Sequence, residues 1–303
     1  MSSPGPHPAI GPETVVDIHC HVMSEDAEAL ARATFPPERD PFTRYIGRSE
    51  GQNRELFGLI RPKLVEPRSR LDDMDRMGID VQAISVAPPQ YFYWAEPSIG
   101  AAAARITNDR IAAIVSAHPD RFVGLGTVPL QDVDATLSEL DRMTSELGFR
   151  GLEICTQVNG IDLDDVRFEP FFAEVAERDL LLVVHPNGTT QGERLTDYYL
   201  INVVGMPLDS TIFLARMIFG GVLARHPRLK MCVVHGGGDE ISSMQRALGR
   251  EAGGCVADTR RRSAGNVVSA GHHLALLFRR LRALSAGRAA TGARTARGST
   301  RLV

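Results

Sequence analysis

Between residues 15 and 236, short β-branched runs alternate with longer amphipathic stretches. That order is the signature of βα units, which bury apolar strands between flanking helices in a parallel sheet. The expected strands are Val15–His19, Val81–Val86, Phe122–Val128, Gly151–Ile154, Leu180–His185 and Lys230–His235. The expected helices are Ser98–Ala117, Val133–Leu147, Glu169–Arg178 and Asp209–Arg225, with Ser98 as an N-cap and Pro119 and Pro227 as stops. Six such units can be counted, where a closed (β/α)8 barrel needs eight. The fold class is therefore α/β, a TIM (β/α)8-type barrel that is incomplete or aberrant at its C-terminus. Residues 24–70, rich in Pro, Arg and aromatics, break the alternation and are expected to form a long loop after the first strand.

Composition matters at the two ends. Residues 1–14 carry neither a basic nor an apolar leader pattern and are expected to be flexible. Residues 1–258 hold 24 Lys and Arg against 37 Asp and Glu, a balance of -13. Ten Arg and no acid follow Asp258, which brings the whole chain to -3. Residues 251–303 are rich in Ala, Arg and Gly and are expected to be a disordered tail beside a barrel domain of 15–250. A near-neutral total excludes binding of polyanions by bulk charge, and Arg without interleaved aromatics argues against nucleic acid. In the sequence no apolar run reaches the ~20 residues of a membrane span. Four widely spaced cysteines, Cys20, Cys155, Cys232 and Cys255, suit a reducing, cytoplasmic setting.

Three of the strands end in histidine. DIHCH places His19 and His21 two apart, LLVVHP ends in His185, and CVVHGGG holds His235. Residues i and i+2 of a strand share a face, so His19 and His21 face one way and Cys20 the other, as a core residue. Barrel strands converge at their C-terminal ends, where neutral imidazoles suit Zn²⁺ and its neighbours. One strand-end histidine is more often structural than a ligand; three such sites together are not easily structural. The glycines after His235 match no phosphate-binding pattern and read as a tight turn. Met206, Met217 and Phe219 read as core.

These residues carry a resemblance. DIHCH at 17–21, RLDDMDRMGIDVQAIS at 70–85, RFVGLGTVPLQ at 121–131, HP at 185–186 and GMPLDSTIFLARMIFGGVLARHPRLKMCVVHGGG at 205–238 resemble the amidohydrolase-related branch of the metal-dependent amidohydrolase superfamily. Within it the chain is most similar to the aminocarboxymuconate-semialdehyde decarboxylases. The resemblance implies a barrel with one divalent metal, Zn²⁺, and non-oxidative decarboxylation of a small unsaturated or aromatic acid. It implies His19, His21 and His185 as ligands and His235 as the acid/base. Arg246 would hold the substrate carboxylate across a homodimer interface, Tyr199 would line the pocket, and a further substrate arginine would be Arg54 or Arg61.

One departure stands out. The family closes its metal site with an Asp in a GTDYP or GSDYP phrase at strand eight, and no such phrase occurs here. The pattern stops just after His235, where composition also shifts, as a changed reading frame or a truncation would produce. Asp239 and Asp258 are weak substitutes. Competing readings are a hydrolase of the same superfamily, such as a lactonase, and an inactive relative with an altered C-terminus.

Overall fold

The structure is a computed structural model that describes residues 14–34, 40–236 and the strand Val267–Ser269. Strand β1 (Val16–Val22) is followed by four helices, α1 (Glu25–Arg32), α2 (Pro41–Tyr45), α3 (Glu50–Val65) and α4 (Pro67–Met77). Alternation then sets in: β2 (Val81–Val86), α5 (Pro97–Ala117), β3 (Phe122–Gly124), α6 (Val133–Ser145) and β4 (Gly151–Ile154). A small antiparallel ribbon, β5 (Gln157–Val158) and β6 (Ile161–Asp162), precedes α7 (Glu169–Glu177) and β7 (Leu181–Val184). Helices α8 (Met206–Phe219) and α9 (Val222–Arg225) lead into β8 (Lys230–Val233), and β9 (Val267–Ser269) comes last.

Apart from the ribbon, every strand pairing is parallel. β1, β2 and β3 form one run and β4, β7, β8 and β9 another, joined by the parallel bridge between Gly126 and Leu152. The spatial order thus follows the chain order, as successive βα units produce. Alternate residues feed two apolar layers. Val16, Ile18, Val81, Ala83, Leu125, Leu181, Val183, Cys232 and Val234 make one cluster on the inner face. That β1 and β8 share it, although far apart in strand order, means the sheet has curled back on itself as a barrel wall does. Ile84, Val86, Leu152, Ile154, Leu182, Val184, Met231 and Val233 point outward into the larger cluster shared with the helices. Phe122, Phe168, Phe171 and Phe172 are fully buried there, each contributing about 1.5–3 kcal/mol by burial.

All six expected strands are present, β2 and β4 with the expected bounds, and β9 makes a seventh parallel strand among the described residues. It lies inside the segment that composition sets apart. The first fourteen residues, bar Thr14, and the rest of 237–303 lie outside the described residues, so Arg246, Asp239, Asp258 and most of the expected tail do as well.

Several expectations need correction. Residues 24–70 hold three helices and the start of α4 in place of a loop. Helix α3 has no buried residue and is held by surface pairs such as Arg54 with Glu50 at i,i+4, so it shows no apolar stripe to read. Helix α5 starts at Pro97 after Glu96, so Ser98 is not its cap. The expected helix 209–225 begins earlier, at Met206, and breaks at Gly220 and Gly221, the latter at φ +77°. Met206 and Met217 are core, but Phe219 is 54% exposed, because its position rotates off the face that buries Phe213, Leu214 and Met217. Finally, Ile201–Phe219 is a helical stretch long and apolar enough to cross a membrane, which the strand-and-turn reading overlooked. In this fold Phe213, Leu214 and Met217 of that stretch pack into the outer core cluster.

Candidate metal centre

The histidines come together at the C-terminal ends of β1, β7 and β8. The ring of His19 lies 5.1 Å from that of His21, 5.0 Å from His185 and 5.0 Å from His235, centroid to centroid. His21 and His185 are 4.8 Å apart, and His185 and His235 4.5 Å. The ligand nitrogens of His19, His21 and His185 all fall within 4.8 Å of one another.

Two local irregularities make this possible. Val16 and Ile18 point to the inner cluster, whereas Cys20 and Val22 point to the outer one. A regular strand would keep all four on one face. The register against β2 slips by one residue between Asp17 and Cys20, and this bulge flips the alternation. It aims His21 inward while Cys20 packs outside. At the other end Val234 faces inward, so an extended His235 would face away. His235 instead adopts φ +64°, a left-handed conformation disfavoured for a non-glycine residue, and its Nε2 lies 2.9 Å from Nε2 of His185.

Hydrogen bonds set the tautomers. Nδ1 of His21 faces the Val86 carbonyl at 3.0 Å, and Nδ1 of His185 faces the Pro186 carbonyl at 2.6 Å. A carbonyl only accepts, so each Nδ1 carries the hydrogen and each Nε2 a lone pair, which in His185 accepts from Nε2–H of His235. Burial holds all four imidazoles neutral: it lowers His19, takes His21 down to about 3 and His235 to about 4, and keeps His185 well below the ordinary value. Crowding of the rings adds to the shift at His21, His185 and His235. Neutral imidazoles with outward lone pairs, held from behind, are what a divalent cation requires.

Beneath His21 lies a carboxylate absent from the sequence-derived site. Glu153 of β4 is 1% exposed. It accepts hydrogen bonds from Ser85 Oγ at 2.8 Å and Tyr91 Oη at 2.7 Å, and its Oε1 is 3.7 Å from Nδ1 of His21. Ser85 Oγ is itself 3.3 Å from Nδ1 of His21. Burial raises the Glu153 carboxyl to about 8 against the pull of those two hydrogen bonds. Its one sequence signal is an acid between Leu152 and Ile154 on a short strand, where the alternation turns it inward. Arg70, buried by α4, donates to the His21 carbonyl and to Gln82 Oε1 at 3.1 Å, fixing the end of β1 from outside.

The remaining expected site residues that lie among the described ones make contacts of their own. Tyr199 donates to Asn53 Oδ1 at 2.9 Å and packs edge-on against Phe42, where the segment after β7 meets α3. Arg54 pairs with Glu50, and Arg61 with Glu25 and Glu28, so each is engaged with acids of its own surface. Cys20 is buried, as expected of a core residue.

Residues 16–279 match the amidohydrolase family model. The 2-amino-3-carboxymuconate-6-semialdehyde decarboxylase of Dictyostelium discoideum is 39% identical over 184 residues, 61% of this chain and 51% of that protein. The protein of the same name from Caenorhabditis elegans is 26% identical over 278 residues, covering 74% and 68%. The chain thus spans about half the length of the first relative and about two thirds of the second. A 5-carboxyvanillate decarboxylase of Novosphingobium aromaticivorans, solved with manganese and a nitrobenzoic acid, superposes with a TM-score of 0.70 at 23% identity, over 85% of this chain and 78% of its own.

Proposed function

Because this chain belongs to the amidohydrolase family, we propose that it is a metal-dependent, non-oxidative decarboxylase of a small unsaturated or aromatic carboxylic acid. The observation that carries the reading is the convergence of His19, His21, His185 and His235 from three strand ends, with the Nε2 atoms of His21 and His185 left unprotonated by Nδ1–carbonyl bonds and that of His185 facing Nε2 of His235. Relatives and structural neighbours named as decarboxylases of such acids support it.

His19, His21 and His185 would hold the ion, Zn²⁺ on the histidine donor set or Mn²⁺ as in the neighbour. When bound, the cation supplies Lewis-acid polarisation of the substrate's oxygens. The chain's own part is the proton. Loss of CO₂ breaks one carbon–carbon bond and leaves its electron pair on the substrate carbon, which must take up one proton. His235, at the edge of the cluster with Nε2 directed to its centre, delivers that proton and is recharged from solvent. The same groups could activate water for hydrolysis, the alternative within the superfamily, and the product distinguishes the two.

Tyr199 would line the pocket from the loop after β7, and Arg246 would bind the substrate carboxylate from a second subunit of a homodimer. The three buried free cysteines among the described residues fit a reducing, cytoplasmic setting. The absence of the GTDYP-type phrase is read as a C-terminus frame-shifted or truncated after His235, which leaves the three histidines without the family's aspartate ligand.

The test is elemental analysis of the purified chain combined with a substrate panel. About one divalent ion per chain is expected, lost in the His19→Ala/His21→Ala variant, with CO₂ released from at least one unsaturated or aromatic acid. His235→Asn should keep the ion and slow CO₂ release by ~10²–10⁴-fold. A ring-opened acid without CO₂ would favour the hydrolase, and a metal-free chain would sink both.

A further inference from the structure

The buried acid beneath the histidines has no part in the chemistry above. Among the described residues, the only positively chargeable group within 4.0 Å of Glu153 is His21. Both carboxylate oxygens are otherwise spent accepting from hydroxyls, Oε2 from Ser85 and Oε1 from Tyr91. An acid on a barrel strand is costly to bury, and chains keep one where a cation or a required hydrogen-bond pattern repays it. No arginine or lysine fills that role here. Arg70, the nearest candidate behind β1, is taken up by Gln82 and the His21 and Lys63 carbonyls.

What Glu153 does touch is a chain of groups leading to one nitrogen. Its Oε2 takes the Ser85 hydroxyl hydrogen, which leaves the Ser85 lone pairs facing Nδ1–H of His21 at 3.3 Å, alongside the Val86 carbonyl at 3.0 Å. Ser85 Oγ also lies 3.2 Å from the Cys20 carbonyl, and whether its one hydrogen goes there or to Glu153, it can only accept from His21. The tautomer that frees Nε2 is therefore enforced twice, once by the main chain and once by this relay. Ser85 lies near the end of β2 and Glu153 near the end of β4, and their side chains meet at 2.8 Å although β3 lies between the two strands, so the relay is built on strands and not on loops.

We infer that Glu153 is a positioning residue for the metal centre, acting through Ser85 to orient and polarise His21 as a ligand. The inference rests on the metal-binding reading given above. It follows the general arrangement in which a ligating histidine gives its second N–H to an acceptor backed by a carboxylate, and loss of such partners weakens metal binding by about 10–100-fold. Replacing the acid by glutamine puts a donor amide against one of two hydroxyl donors, which turns Ser85 away from its present bond without changing side-chain size.

The experiment measures the Zn²⁺ and Co²⁺ dissociation constants of the full chain by chelator competition. It also records the visible spectrum of the Co²⁺ form and the melting temperature of the metal-free protein. Glu153→Gln and Ser85→Ala are each expected to weaken both ions about 10–100-fold and to shift the Co²⁺ bands. The double variant should be no weaker than the weaker single one, because the two residues form one relay. If Glu153→Gln does not fold, Ser85→Ala carries the test alone, since it removes a single oxygen. Unchanged affinity and spectrum in Ser85→Ala, or a loss confined to metal-free melting temperature, would overturn the inference and leave the metal reading standing. Failure of the unaltered chain to bind either ion would overturn both.

Discussion

At the scale of single residues, the centre is defined by what burial does to imidazole. Four rings, each within about 5 Å of at least two others, cannot share positive charge out of water, so each is held below its ordinary basicity. In the unfolded chain they regain the usual value near 6.5. Between that value and the folded ones, about 4 for His235 and about 3 for His21, the unfolded chain binds more protons than the folded one. Stability must then fall as pH falls through this window and be fully retained above it. The metal-free chain is expected to lose melting temperature steadily from pH 7 toward pH 4, and replacing His21 and His185 by Gln should flatten that slope; an equal slope in the variant would contradict this account. Sequence reasoning found the histidines because strand-end position and HxH spacing are one-dimensional signals. It missed Glu153 and Ser85, whose meaning lies in which neighbour they face across strands 68 residues apart.

The elements show why some boundaries were readable and others were not. β2 and β4 matched their expected bounds because both faces of those strands are buried, so apolar residues predominate along them and the polar exceptions, Gln82, Ser85 and Glu153, are hydrogen-bonded. Helix α6 begins at the expected Val133, where Asp132 caps it by accepting from Ala135 N–H at 2.9 Å, and buries Leu140 and Met143 fully, though it ends at Ser145, two residues before the expected Leu147. These contributions differ in size. Asp132→Ala should cost about 1 kcal/mol, the usual value of a side-chain cap, and Leu140→Ala about 2–5 kcal/mol through the cavity left behind. Comparison of chemical-denaturation midpoints tests the ranking, and a cap loss that equals or exceeds the core loss would refute it. Helices α1 to α3 escaped notice for the opposite reason. Helix α1 buries only the small side chains of Ala27 and Ala31, α3 buries none, and both lean on surface pairs such as Arg32 with Glu28 and Arg61 with Glu25 and Glu28. Such contacts leave little periodic apolar trace.

For the molecule as a whole, the open question is how a family pattern that runs so clearly to His235 continues beyond it. The family model extends to residue 279, and β9 pairs with β8 within that stretch. The acid-free, Arg-rich composition after Asp258 is nevertheless foreign to the first 258 residues. Resequencing the coding region for 236–303 tests the proposed frame shift or truncation, and an unaltered in-frame read would dismiss the frame shift. Local order alone determined much of this protein: the parallel βα architecture, the six strands up to β8, and the histidines at their ends all follow from periodicity and position along the chain. Tertiary structure decided the rest. The bulge that turns His21 inward, the left-handed turn at His235 and the Glu153–Ser85–His21 contacts each depend on packing between strands distant in sequence. A backbone irregularity or a buried acid is tolerated only when neighbours surround it, and no run of adjacent residues records who those neighbours are.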